Sequence, residues 1–153
     1  MEKGIILGNN ILDVVFVAWF IAQFYKVISG LIVDKKLIIK RFWETGGMPS
    51  SHSSTVSALT TSVGIVYGTA TPLFAISIIF SIIVLYDAAG IRRAAGKQAR
   101  VLNQLGVTLN KFFNERLNEE KLKELLGHTP VEVLIGTIVG VAVAFIFKFH
   151  LVP

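Results

Sequence analysis

Gly46-Gly47-Met48-Pro49-Ser50-Ser51-His52-Ser53-Ser54 is the stretch from which the rest of the chain can be read. Paired glycines give the backbone the freedom a tight turn needs. Pro49 fixes its own φ and pushes Met48 out of the helical region. Ser50 or Ser51 can then cap a new helix, with His52 in its first turn. Amides at a helix start favour anions, phosphate included, so the stretch predicts an imidazole beside an anion site. A loop followed by an ordinary serine cap fits the same residues.

The composition around this stretch sets the solvent. Of 153 residues, 53% are hydrophobic and only 16% are charged. A soluble domain carries nearer a quarter of its residues as charges. Several apolar runs approach bilayer-spanning length. We expect an all-α, polytopic membrane bundle of about four spans plus amphipathic helices, forming a single domain over 1–153. The net charge is +5, but the basic residues lie between apolar runs without aromatic interleaving, so nucleic acid is not an expected partner. The absence of cysteine excludes disulfides and thiolate chemistry.

The first run, Ile11 to Val33, reads as a retained membrane helix and not as a cleaved signal. Gln23, Lys26 and Ser29 fall three apart on it and can share one face. They read as a polar stripe against neighbouring helices, or with Lys26 reaching back to the interface. Lys35, Lys36, Lys40 and Arg41 then alternate with apolar residues, as in a segment lying along a membrane surface. Ser53 to about Gly68 is a serine-rich second span, and its hydroxyls suit helix packing. Leu73 to Tyr86 is a short third span ending at Asp87. A carboxylate at an apolar helix end wants a partner, and Arg92 and Arg93 are near enough in sequence to supply one. An arginine fork suits carboxylate or phosphate. Asp87 orienting a phosphate-gripping arginine and a plain interfacial charge cluster are both open at this point. Arg92 to Gly106 is small and basic, whereas Leu109 to Leu126 has the apolar spacing of an amphipathic helix or helix pair.

The last run opens with Gly127-His128-Thr129-Pro130-Val131-Glu132. Gly127 can end one segment and Pro130 can enter the first turn of the next helix. His128 and Glu132 are four apart and share a face if both are helical. A carboxylate on one imidazole nitrogen fixes the tautomer and leaves the other free. Gly136 and Gly140 form a small-residue ridge farther on. The 34–51 connection has four basic and two acidic residues, and the 88–127 connection has eight and four. Positive-inside asymmetry puts both on the cytoplasmic face of what we expect to be a bacterial inner membrane. His52 and His128 then open their helices from the same side.

These motifs resemble the divergent branch of the PAP2 acid phosphatase and vanadium haloperoxidase-related superfamily, in particular a small bacterial membrane family. The resemblance covers nearly the whole chain. It is most specific at Gly46–Ser54, at Tyr86–Ala99 with Asp-Ala-Ala-Gly-Ile-Arg-Arg-Ala-Ala-Gly-Lys-Gln-Ala, and at Gly127–Gly136. It implies that His128 attacks phosphorus, that His52 protonates the leaving group and that Glu132 supports His128. Candidate phosphate binders are Lys36, Arg41, Arg92, Arg93 and the amides near Ser50 and Ser51, with Asp87 in support. The sequence departs from the family pattern at four points. Ser51 stands for a glycine, Glu132 for an aspartate, Phe42 for a proline, and Leu122 for an arginine six positions before the late histidine. The implied activity is metal-independent, cofactor-free hydrolysis of a lipid phosphomonoester or diphosphate, such as phosphatidylglycerophosphate or undecaprenyl diphosphate, through a phosphohistidine. Vanadate would act as a phosphate mimic. Self-association is left open. The altered motifs also allow a catalytically inactive lipid-phosphate-binding or membrane-organising protein.

Overall fold

The computed structural model describes residues 4–34, 47–113, 121–122, 124 and 127–152. These residues form helices α1 (Asn10–Asp34), α2 (Ser51–Tyr67), α3 (Pro72–Tyr86), α4 (Arg92–Phe113), α5 (Pro130–Ile146) and the short α6 (Lys148–Leu151). A π-helical turn, Asp87–Ile91, joins α3 to α4. The described architecture is all-α.

Two helical stretches are long and apolar enough to cross a membrane, Asn10–Leu31 and Pro72–Phe113, and Pro130–Ile146 is a shorter apolar helix. The second stretch revises the short third span read from the sequence: helix continues without a break from Pro72 through the π turn to Phe113. Of the amphipathic segment expected over Leu109–Leu126, the part up to Phe113 belongs to α4, Arg92–Phe113. Lys121 and Leu122 lie outside any helix, and 114–120, 123 and 125–126 lie outside the described residues.

α2 is the central element, packed against α1, α3 and α5. Its buried residues are mostly small or hydroxylated: Ser51, Ser53, Ser54, Val56, Ser57, Ala58, Thr60, Ser62 and Val63. Without a water–oil driving force between spans, small side chains let backbones approach and hydroxyls bond across helices. The Ser54 hydroxyl donates to the Ala18 carbonyl of α1, and the Ser81 hydroxyl of α3 donates to the Val56 carbonyl. The Gly136–Gly140 ridge is the matching surface of α5. A Cβ at Gly136 would collide with the Ser50 carbonyl, and one at Gly140 with the Ser54 carbonyl.

The caps follow the local chemistry. The Ser50 hydroxyl accepts from the Ser53 amide at 3.3 Å and so caps α2. Gly47, at φ +86°, makes the preceding turn, a conformation other residues rarely adopt. Thr71 caps α3 with Pro72 in its first turn. Thr129 caps α5 with Pro130 behind it. The aliphatic core gathers Ile11, Val14, Ala18, Ala58, Val63, Val143, Ala144 and Leu151. It lies away from the α2 and α5 starts, where buried serines dominate.

Candidate active site

Two backbone hydrogen bonds bring three distant segments to one point. The Ser50 amide donates to the Glu132 carbonyl at 3.0 Å, tying the start of α2 to the first turn of α5. The His128 amide donates to the Ala88 carbonyl at 2.9 Å, within the π turn. A π turn pairs carbonyls with amides five residues on and recurs at functional sites. Here one of its carbonyls receives the segment before α5. Gly127 makes that approach feasible: its φ is +82°, and a Cβ there would strike the backbone of Arg92 and Arg93.

The outcome is a pair of imidazoles, His52 and His128, with ring centroids 6.2 Å apart and planes inclined at 58°. Both line a cavity of about 240 Å³ together with Ile83, Val84, Asp87, Ala88 and Arg92. His128 is buried, and its Nδ1 lies 3.1 Å from Glu132 Oε2. Its Nε2 is buried with no hydrogen-bond partner among the described residues. A buried polar atom left unmatched costs about 1–3 kcal/mol, so this nitrogen is the most unusual atom of the site. Burial holds the His128 pKa below the ordinary histidine value. The Glu132 carboxylate opposes that shift, while Lys26 and Arg92 reinforce it. Glu132 has a second duty. Its Oε2 accepts from the Thr129 amide at 3.1 Å, and its own amide donates to the Thr129 hydroxyl. This reciprocal capping box fixes the carboxylate that in turn orients the imidazole.

The cationic residues divide. The Arg92 Nε donates to Asp87, so that pair forms at the cavity wall. Arg93 does not line the cavity. Lys36 and Arg41 lie outside the described residues. The Ser50 amide donates to the Glu132 carbonyl and so is not free for an anion. The Ser50 hydroxyl oxygen, fully buried, accepts from the amide and hydroxyl of Ser53 at the cap. Ser51 instead accepts from the Lys26 ammonium at 3.2 Å.

The sequence reads Lys26 as part of a polar stripe against neighbouring helices or as reaching back to the interface, and not as a site residue; the stripe is what the structure shows. Lys26 is only 4% exposed, so it does not reach back to the interface. It projects inward from α1 within electrostatic range of His52, His128 and Glu132. No carboxylate lies within ion-pair distance of it among the described residues. Its three-residue spacing from Gln23 was the signal, since Gln23 is also buried.

The chain matches the divergent PAP2 family over residues 7–143. The chain belongs to that family. It is also 43% identical over 137 residues to the Bacillus subtilis (strain 168) protein named "Uncharacterized membrane protein YuiD", covering 84% of this chain and 87% of that one. No solved structure gives a significant match. Apolar helices and likeness to a bacterial membrane protein together make this an integral membrane protein. Membership of the divergent PAP2 family is consistent with phosphatase-type chemistry. Among the described residues, no group of three or more His, Asp or Glu side chains is arranged to hold a metal ion. Leu122, at the position of the family's late-motif arginine, pairs through its backbone with Asn103 and does not line the cavity. Arg92 is the arginine at the cavity wall.

Proposed function

We propose that this protein hydrolyses a phosphomonoester or diphosphate of a membrane lipid through a phosphohistidine on His128. The observation that carries the reading is the His128 ring. One nitrogen is held by Glu132, and the other is unpartnered in a ring that shares a cavity with His52.

His128 Nε2 attacks phosphorus and forms the N–P bond as the bond to the leaving oxygen breaks. His52 gives that oxygen a proton. The negative phosphate entering the cavity favours the protonated His52 this step needs. Water then attacks the phosphohistidine, His52 takes its proton, and phosphate departs with His128 neutral again. Glu132 holds the tautomer and balances the positive charge that develops on His128. Arg92, at the cavity wall, clamps the phosphoryl oxygens. The Lys26 charge on α1 adds to the field there, where preorganised cations lower the barrier most. Asp87 aims Arg92. Arg41 and Lys36 are further candidate contacts.

Four spans, α1, α2, α3 and α5, fit this reading, with the site at the cytoplasmic end. The basic residues between them carry that orientation. Ile83 and Val84 in the cavity wall give the apolar part of a lipid a surface to lie against. Phosphatidylglycerophosphate and undecaprenyl diphosphate both meet this description.

The test is phosphate release by detergent-purified protein across a panel of lipid phosphates, with trapping of labelled phosphoenzyme. His128→Ala is expected to abolish turnover and the acid-labile phosphoenzyme in a folded protein. His52→Ala is expected to slow cleavage about 10²–10⁴-fold, and less for substrates whose leaving group is already a stable anion. Full activity in His128→Ala would remove the nucleophile. Tight binding of lipid phosphate without turnover would leave a binding protein instead.

A further inference from the structure

We propose that α4 is a membrane-docking element that lies in the headgroup layer of an anionic leaflet. At 3.6 residues per turn, Val101, Leu102, Leu105 and Phe112 fall on one side of the helix. Each is more than half exposed. Arg93, Lys97, Arg100 and Lys111 fall on an adjoining side. From Arg92 to Phe113 there are five basic residues and no acidic one. A third side is already occupied. Gly96 and Ala99 are buried, and the Asn103 side chain donates to the Leu122 carbonyl and to Glu124. The returning chain thus covers the edge between the two stripes and leaves the apolar stripe bare.

Two observations select the occupant. α3 passes into α4 through the π turn Asp87–Ile91, a feature at which helices bend. α4 can therefore leave the axis of α3, whose Ile76, Ile79, Phe80 and Ile83 are half exposed or more and face the lipid of an integral membrane protein. Arg92 pairs with Asp87 and Arg100 with Glu124. This leaves Arg93, Lys97 and Lys111 to suit anionic headgroups, which attract juxtamembrane basic segments. A second copy of the same helix would instead set like charges against each other across the contact. The arrangement does not depend on phosphatase chemistry, so its test can fail or succeed on its own.

The chain has no cysteine, so Leu105→Cys and Gln104→Cys each provide one labelling site, on the apolar and basic sides respectively. Each variant of the full chain, carrying a polarity-sensitive fluorophore, is placed in nanodiscs of phosphatidylcholine and phosphatidylglycerol. The lipid is doped with an acyl-chain spin label. Strong quenching and a blue shift are expected at position 105, with several-fold weaker quenching at 104. In pure phosphatidylcholine discs, or at high salt, the difference is expected to shrink. Lys97→Gln and Lys111→Gln, added to Leu105→Cys, are expected to lower the docked population roughly fivefold per cation removed. Equal quenching at the two positions, or no quenching at 105 in anionic discs, overturns the proposal. Energy transfer between copies labelled at 105, without lipid quenching, would assign the face to a second copy and would overturn it equally.

Discussion

His128 is held in two ways that make opposite demands on its proton. Burial keeps the ring neutral, and the Glu132 carboxylate pulls the pKa back up. A histidine with a lowered folded value binds fewer protons folded than unfolded at mildly acidic pH. Its contribution to stability is therefore complete above the unfolded value of 6.5 and is lost as pH falls through the lowered folded value. The same titration removes the neutral nucleophile. We expect the acidic limb of kcat/KM for phosphate release to lie below the ordinary imidazole range. Glu132→Gln removes the opposing charge, so that limb should move to still lower pH while the rate falls. A limb that stays put or moves upward would separate Glu132 from His128. Glu132→Asp restores the usual family residue and is expected to retain more activity than Glu132→Gln. Lys26 invites a different experiment. Its buried ammonium is met by a hydroxyl at 3.2 Å, without a carboxylate in ion-pair range among the described residues. Lys26→Met should therefore leave the thermal midpoint near that of the wild type. Vanadate affinity should fall on the order of tenfold, as expected for the loss of one nearby cation from a site of low local dielectric. Unchanged vanadate binding in folded Lys26→Met would mark the lysine as packing.

At the scale of elements, the start of α5 concentrates the most constraints. Thr129 and Glu132 form its capping box, Gly127 turns the chain at positive φ, and the Ser50 amide is docked on the Glu132 carbonyl. Thr129→Ala removes a cap worth about 1 kcal/mol and loosens the carboxylate that orients His128. A small fall in melting temperature with a disproportionate loss of kcat is the expected result. One turn farther in, the glycine ridge lets α5 sit on the backbone of α2. Gly140→Ala places a methyl against the Ser54 carbonyl. Overpacking of this kind costs about 1–3 kcal/mol, so detergent melting should show a clear drop. A melting temperature equal to the wild type would mean that the two helices sit farther apart than described. The π turn acts as the complementary surface. It presents Asp87 toward Arg92 and the Ala88 carbonyl toward His128, so two site residues depend on five residues of wider helix.

For the whole molecule, the site end and the short 68–71 link lie at opposite ends of α2. If α1, α2, α3 and α5 all span, residues at those ends occupy opposite faces of the membrane. Met48→Cys and Gln104→Cys should be labelled by an impermeant thiol reagent from the cytoplasmic side, and Thr69→Cys from the other side. Labelling of positions 48 and 69 from one side would dismiss α2 as a span. Protein that stays monodisperse without detergent would dismiss the membrane assignment altogether.

Apolar length, small-residue spacing and two histidine motifs were enough to specify a helical membrane protein with paired imidazoles. Those features are local or periodic, and periodic burial writes itself into sequence. The His128–Glu132 contact is also local, but it is not the shared helical face that the four-residue spacing suggested. His128 precedes the cap Thr129, outside α5, and Glu132 reaches back to it from the third helical position. Tertiary structure decided what depends on direction between elements. Arg92 and Arg93 are adjacent in sequence, yet helical residues one apart point different ways, and only the fold turns Arg92 to the cavity. Ser50 and Ser51 read alike as caps or donors, until packing assigns one to the helix start and the other to Lys26. Lys26 itself looks like any lysine near a span end, because snorkelling and burial share one sequence signature. Its inward course is set by where α1 crosses α2, which no spacing along α1 encodes.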